Sequence, residues 1–347
     1  DTLNRRVTDV TVAAVWMSMT FDRMQTAISK VAADPAALSV NVLQGLLGQR
    51  IVAPPMSLVQ TPDFAASLNE AQRRAYVNAQ APVSLLHGPP GTGKTLTAVA
   101  IVQWMHRQRM GAPLVCTASN FAADHMATQL LSSGLRVLRL YSTGRPAAAI
   151  PDELTLQHHM NRRAAKAVDD AAKLAAADVG ARRKGATKGT AASMVAGAKA
   201  REEVLARAEK AEKFRMLRSM LDHTGLLEFD HAAEYALLRR DAEIEAMREA
   251  DVVVATNSVA MDTRIVESGP WRQVLQDEAS QALEPEALIP LVLGCVRVVL
   301  VGDHKQLGPV VKTKEAATSR LATSLFERFL SAGQVPHAVL VEQHRMH

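Results

Sequence analysis

Residues 88–95 read Gly88-Pro89-Pro90-Gly91-Thr92-Gly93-Lys94-Thr95, the GxxxxGK[ST] spacing of a phosphate-cradling loop. The loop follows an apolar run at 83–87 and opens a helix-forming run at 96–105. Glycines let successive backbone N–H groups turn inward around an anion, and a helix starting at Lys94 aims the positive end of its dipole at the same phosphates. Gly88, Pro89, Gly91, Thr92, Gly93, Lys94, Thr95 and Leu96 are therefore the expected nucleotide-binding residues. Lys94 would meet the β- and γ-phosphates and Thr95 would hold Mg²⁺.

Three further clusters carry chemistry. Asp277 and Glu278 follow the apolar run 274–276, and adjacent residues at a strand end face different directions. One carboxylate can then hold Mg²⁺ while the other orients and deprotonates an attacking water. Gln306 lies in the run 301–309, which leaves another strand, where an amide can hydrogen-bond a γ-phosphate. Gln72 precedes the first strand. Its carboxamide donates and accepts at once, which matches the N6/N7 edge of adenine, although a lone helical Gln is ordinarily just solvated.

The elements that must position these groups are legible as patterns. Continuous, β-branched apolar runs at 83–87, 114–118, 136–140, 252–256, 274–276, 297–301 and 338–341 predict parallel strands covered on both faces, several of them followed by helices. The expected fold class is α/β with a doubly wound, mostly parallel sheet and a helical insertion; the family resemblance given below implies a RecA-like P-loop NTPase. Ligands of such sheets sit beyond the carboxyl ends of the strands. Five regions are expected: a helical stalk-like segment and linker at 1–62, two parts of the sheet domain at 63–150 and 251–341, the insertion at 151–250, and at 342–347 the start of a second motor domain. In the first, Val12, Val15, Met19, Met24, Ala27, Ile28 and Val31 repeat at helical spacing, and Pro54, Pro55 and Pro62 mark an extended connection.

The insertion is rich in Ala, Glu, Lys and Arg, with two expected helical arms at 154–179 and 200–250 packed as an antiparallel pair. A glycine-bearing stretch at 180–197 is expected to break them, and 182–189 holds too little apolar content to bury and is expected to be mobile. Between Asn161 and Met220 fifteen Lys/Arg face seven Asp/Glu, so this segment alone outweighs the whole chain's net charge of +5. Such a segment favours polyanions through counterion release, while a solvated helical face would have the same composition. Cys116 and Cys295 lie apart in strand-like runs, which excludes a disulfide framework and a cysteine zinc site. A reducing compartment is the expected location; the resemblance given below implies the cytoplasm, with an organelle as the alternative. No run of eighteen apolar residues exists, so no membrane partner is expected.

In order and wording these clusters resemble the superfamily 1 RNA/DNA helicases, and among them the up-frameshift RNA helicases of nonsense-mediated decay. The likeness runs through 21–25, 46–48, the phosphate loop, Ser119-Asn120 with Ala122 and Asp124, Asp277-Glu278 with Gln281, 302–311, 324–328 and 343–347. The resemblance implies ATP and Mg²⁺ as nucleotide and metal, with Asp277 beside Thr95 at the metal. It implies Gln72 reading adenine, Lys94, Asp277, Glu278 and Gln306 serving hydrolysis, and Arg345 reaching the γ-phosphate from the second motor domain. Ser119, Asn120 and Thr256 would touch the backbone of single-stranded RNA, or DNA, without reading sequence. Protein partners would bind through the helical insertion.

Departures from the family pattern are Asn257-Ser258-Val259-Ala260 in place of a glycine-rich segment, Ala279 for Ser and His344 for Tyr. The family's zinc domain and β-barrel module are expected before Asp1 and its second motor domain after His347. An arginine finger contributes ~10³–10⁵ in rate, so the isolated chain is expected to hydrolyse ATP weakly or not at all. The reading is thus an ATP-dependent RNA (or DNA) helicase represented by its first motor domain. Its alternative is a helicase-derived structural or assembly factor with little or no ATPase. A GTPase or kinase lacks support, since no NKxD-type guanine reader occurs and 303–309 would go unexplained.

Overall fold

The computed structural model describes residues 18–53, 67–142, 150–184, 191–311, 318 and 320–344; within helix residues 178–184 and 191–197 the backbone alone is described. All seven expected strands form: β1 Val83–His87, β2 Leu114–Thr117, β3 Val137–Arg139, β4 Val252–Thr256, β5 Gln273–Asp277, β6 Arg297–Gly302 and β7 His337–Val339. They make one parallel sheet in the order β3-β4-β2-β5-β6-β1-β7. The architecture is the expected three-layer α/β arrangement.

Strand alternation divides the interior into two cores. Val252 and Val254 join one apolar cluster while Val253 and Ala255, between and after them, join the other. The first cluster is closed by α3 (Glu70–Asn78), α4 (Lys94–Arg107) and α5 (Asn120–Ser132). The second is closed by α1 (Met19–Ala33), α2 (Val40–Leu46) and the insertion. Side chains buried on both sides explain why the strands read as unbroken apolar runs rather than alternating ones.

Register levels the strand ends. His87 pairs with Gly302, while Thr117 pairs with both Thr256 and Asp277. Every loop that leaves these strands therefore opens on one edge of the sheet, where the chemistry-bearing clusters were expected.

The insertion departs from the expected pair of arms. It comprises α6 (Leu156–Lys184), α7 (Ala191–Thr224) and α8 (Phe229–Glu249), inserted along the chain between β3 and β4 and packed on one another. Gly180 and Gly197 lie inside helices, because ~1 kcal/mol per glycine is outweighed by the surrounding Ala-rich helix formers. Gly225, by contrast, takes a left-handed φ of +72° and ends α7, dividing the expected second arm in two. Of the stretch expected to be mobile, 182–184 close α6 and 185–189 lie outside the described residues. Pro54, Pro55, Pro62, Val12 and Val15 lie outside them as well.

Candidate nucleotide site

The phosphate loop joins β1 to α4. Gly93, at φ +85°, is the left-handed residue from which α4 departs, and a Cβ there would lie 2.4 Å from Gln72 Nε2. A Cβ on Gly88 would lie 2.6 Å from Thr92 Oγ1. Glycine is thus required by close approach at one position and by backbone conformation as well at the other. Lys94 Nζ donates to Gly88 O at 2.7 Å and to Pro89 O at 3.3 Å, folding the ammonium over the loop. Thr92 is buried and its hydroxyl donates to Pro89 O, so it braces the loop from within.

Gln72 begins α3 in a reciprocal cap: its Oε1 accepts from Asn69 N at 3.0 Å, and Asn69 Oδ1 accepts from Gln72 N at 2.9 Å. Its Nε2 points to Thr92 O at 3.4 Å. The side chain is buried at the cavity wall with its amide fixed against the loop.

Asp277 ends β5 and Glu278 follows in a left-handed conformation, φ 55° and ψ 35°. Among the described residues it is one of two non-glycine residues with positive φ, a conformation that costs roughly 1–2 kcal/mol. That turn separates two adjacent carboxylates: Asp277 is 7% exposed, whereas Glu278 is more open and accepts from Gln281 Nε2 at 3.1 Å. Burial pushes the Asp277 carboxyl up to about 7 and the Glu278 charge adds to this, while the Glu278 N–H and the Lys94 ammonium offset part of it. A carboxylate so costly to ionise favours a cation beside it.

One cavity of about 930 Å³ gathers Gln72, Gly91, Gly93, Lys94, Thr95, Leu96, Asp277, Glu278 and Gln306. β1 and β5 are separated by β6, which delivers Gly302 and the loop bearing Gln306 between them. Gln306 Nε2 donates to Asp303 Oδ2 at 3.1 Å. Burial opposes the charge of Asp303, but the Lys305 N–H, the Gln306 amide and His87 outweigh it and hold its pKa below the usual range. The loop is further tied to β5's exit, since the Asp303 N–H donates to Ser280 Oγ at 3.3 Å.

Ser119 caps α5 by accepting from Ala122 N, and it lines the same cavity. Asn120 Oδ1 accepts from Arg139 Nη2 at 2.9 Å, so its side-chain oxygen is engaged by a buried guanidinium that also pairs with Asp124. Thr256 ends β4 at the same sheet edge but outside the cavity lining. Arg345 lies outside the described residues. The chain just before it crosses the phosphate loop, with His344 N–H donating to Gly91 O at 2.9 Å and Gln343 Nε2 to Pro90 O at 2.6 Å.

Residues not foreseen also line the cavity: Phe121, which is largely exposed, and His125, both presented by α5. Their helical position gave no chemical signal. Asn257 is fully buried with neither side-chain amide atom hydrogen-bonded, directly after Thr256. The departure from glycine noted at that point is its sequence trace.

The donor set suits a magnesium–triphosphate. The phosphate loop at the start of α4, one ammonium, a hydroxyl at Thr95 and a buried carboxylate at Asp277 supply cationic and hard-oxygen groups around a single space.

Comparison with known proteins follows the same residues. A family model described as an AAA domain matches residues 67–314. The chain is similar to a regulator of nonsense transcripts 1 homolog of Arabidopsis thaliana, 37% identical over 96% of this chain and 23% of that protein. It is likewise similar to the ATP-dependent helicase NAM7 of Saccharomyces cerevisiae, 34% identical over 98% of this chain and 30% of the relative. The chain thus spans about a quarter to a third of the length of these curated relatives. Among solved structures, an arterivirus nonstructural protein 10 (helicase) with DNA is 14% identical over 80% of this chain and 39% of its own, with a TM-score of 0.36, too loose a likeness to add to the topology.

Proposed function

The chain belongs to the AAA domain family, and from that premise we propose that it is the first motor domain of an ATP-dependent helicase or translocase acting on single-stranded RNA, or DNA, in the regulation of nonsense transcripts. The observation that carries this reading is the shared cavity of Lys94, Thr95, Asp277, Glu278 and Gln306.

In this reading Gln72 presents its remaining amide hydrogen to the adenine edge and the loop N–H groups hold the β-phosphate. Lys94 swings from Gly88 O to the γ-phosphate. Glu278 orients a water and takes its proton as the water oxygen bonds to the γ-phosphorus and the bond to the β,γ-bridging oxygen breaks, leaving ADP and phosphate. Mg²⁺, held by Thr95 and through water by Asp277, would offset charge on the β- and γ-oxygens. Gln306, anchored on Asp303, reports the loss of the γ-phosphate to β6 and β1. Arg345 completes the charge balance from the next domain.

Ser119, Asn120 and Thr256, at the carboxyl edge of β2 and β4, are proposed to face the nucleic-acid backbone, with the basic insertion adding sequence-independent attraction. Leu226 and Phe229, exposed where α7 turns into α8, are the proposed face for a protein partner. A cytoplasmic location fits two unpaired, buried cysteines.

The test is RNA-stimulated ATPase of this polypeptide with its natural C-terminal continuation. Stimulation by unstructured RNA, lost in Lys94→Ala, is expected. Absence of any ATPase would favour the assembly-factor alternative.

A further inference from the structure

Beside the phosphate loop, three metal-ligating side chains converge, of which the hydrolytic reading uses only Asp303, as the anchor of Gln306. His87 ends β1, Asp303 and His304 follow β6, and the pairing of His87 with Gly302 brings them together. His87 Nε2 lies 3.2 Å from Asp303 Oδ1 and 3.0 Å from His304 Nδ1, and the three ligand atoms all fall within 4.8 Å of one another. His87 and Asp303 are buried, while His304 is open to solvent.

Protons alone satisfy this arrangement badly. His87 Nε2 bears at most one hydrogen. If that hydrogen goes to Asp303, the nitrogen of His304 must share it at 3.0 Å or face it with a second hydrogen. If Nε2 is bare, it accepts from His304 but turns its lone pair toward a carboxylate. A cation between the three atoms removes the conflict. Tetrahedral Zn²⁺ with bonds of ~2.0–2.1 Å places its ligand atoms roughly 3.3 Å apart, close to the 3.2 and 3.0 Å by which His87 Nε2 is separated from the other two ligand atoms.

We propose that His87, Asp303 and His304 form a transition-metal site of the Zn²⁺ class, with a fourth position open to water on the His304 side. Two imidazoles and one carboxylate suit zinc-like ions, whereas Mg²⁺ prefers oxygen alone. The site is therefore chemically distinct from the one at Thr95 and Asp277. Its ligands are oriented from outside: the Lys305 N–H donates to Asp303 Oδ1 at 3.0 Å and Gln306 holds Oδ2 at 3.1 Å. Occupancy is felt at the nucleotide cavity, because His87 adjoins Gly88 and Asp303 anchors Gln306.

The site requires no hydrolysis to be tested. The chain is titrated with Zn²⁺ against a chromogenic chelator in excess Mg²⁺, and with Co²⁺ by visible absorption. One equivalent bound despite Mg²⁺, with intense four-coordinate Co²⁺ bands, is expected. His87→Gln and His304→Gln should each weaken Zn²⁺ binding by at least about tenfold. Undiminished binding in the folded double variant, or displacement by Mg²⁺, overturns the site. Should the variants fail to fold, anomalous scattering from a zinc-soaked crystal of the unaltered chain decides: a peak between these three residues supports the proposal and a peak only elsewhere overturns it.

Discussion

At the carboxyl edge of the sheet several polar side chains are held by specific hydrogen bonds: Gln72 on Asn69, Lys94 on Gly88, Gln306 on Asp303, and Asp303 on Lys305 and His87. Across α6–α8 most charges instead lie at the surface, in pairs such as Lys213 with Glu234 and Arg218 with Asp222, over an apolar seam that includes Met160, Phe214, Leu217 and Tyr235; Glu243 is a buried exception. The cleft is therefore held by specific hydrogen bonds on a rigid sheet, and a small displacement there changes chemistry. The insertion is held by burial, and its surface charge is free to vary.

The contrast can be broken most forcefully at Glu278. Glu278→Gln, in the polypeptide carrying its C-terminal continuation, should lower ATP hydrolysis by ~10²–10⁴ while leaving ATP affinity unchanged. Steady-state turnover and equilibrium binding read the two separately. An equal loss of affinity would mean that Glu278 supports the cavity rather than the reaction.

In the insertion the large effect should come from the seam. Phe214 is buried and stacked on Tyr235 with ring centroids 5.6 Å apart. Phe214→Ala should cost about 3–5 kcal/mol in denaturant unfolding, yet leave ATP binding by the folded protein intact.

A smaller effect is expected from pH. The Asp277 carboxyl, with a pKa raised from 3.8 to about 7, is partly protonated at neutral pH, and its proton competes with Mg²⁺. Mg²⁺ affinity should rise with pH below about 7, approaching tenfold per unit well under that value, and level off above it. Asp277→Asn should bind Mg²⁺ weakly at every pH, and calorimetry between pH 5.5 and 8.5 distinguishes the two profiles.

Smallest is the surface of the insertion. Lys213 and Glu234 approach to 2.5 Å but both are exposed, so Lys213→Ala should change stability by less than ~1 kcal/mol, and by less still at high salt. A loss comparable to that of Phe214→Ala would show that the insertion depends on its charges after all.

The strands were legible because burial on both faces leaves a continuous apolar trace, and β4, Val252–Thr256, is the plainest instance. The lateral order β3-β4-β2-β5-β6-β1-β7 left no such trace, since no local pattern encodes which strand lies beside which. Lys94 and Asp277 were readable as candidates from their loops, while their common cavity rests on that order. The left-handed turn at Glu278 was hidden because side-chain type says little about φ outside glycine. Gly180, Gly197 and Gly225 look alike in sequence, and only the last ends a helix; the difference lies in whether neighbouring helix formers outweigh the glycine cost or the chain needs a reversal. His87 drew no attention because its chemistry depends on residues more than two hundred positions away.

The central claim is that a magnesium–triphosphate sits against Lys94 at the end of β1, and thermal unfolding with and without Mg·ATP tests it most directly. The account predicts a rise in Tm equivalent to about 2.7 kcal/mol when ATP stands at one hundred times its Kd, a smaller rise with GTP, and none in Lys94→Ala. A full shift retained by Lys94→Ala would contradict it.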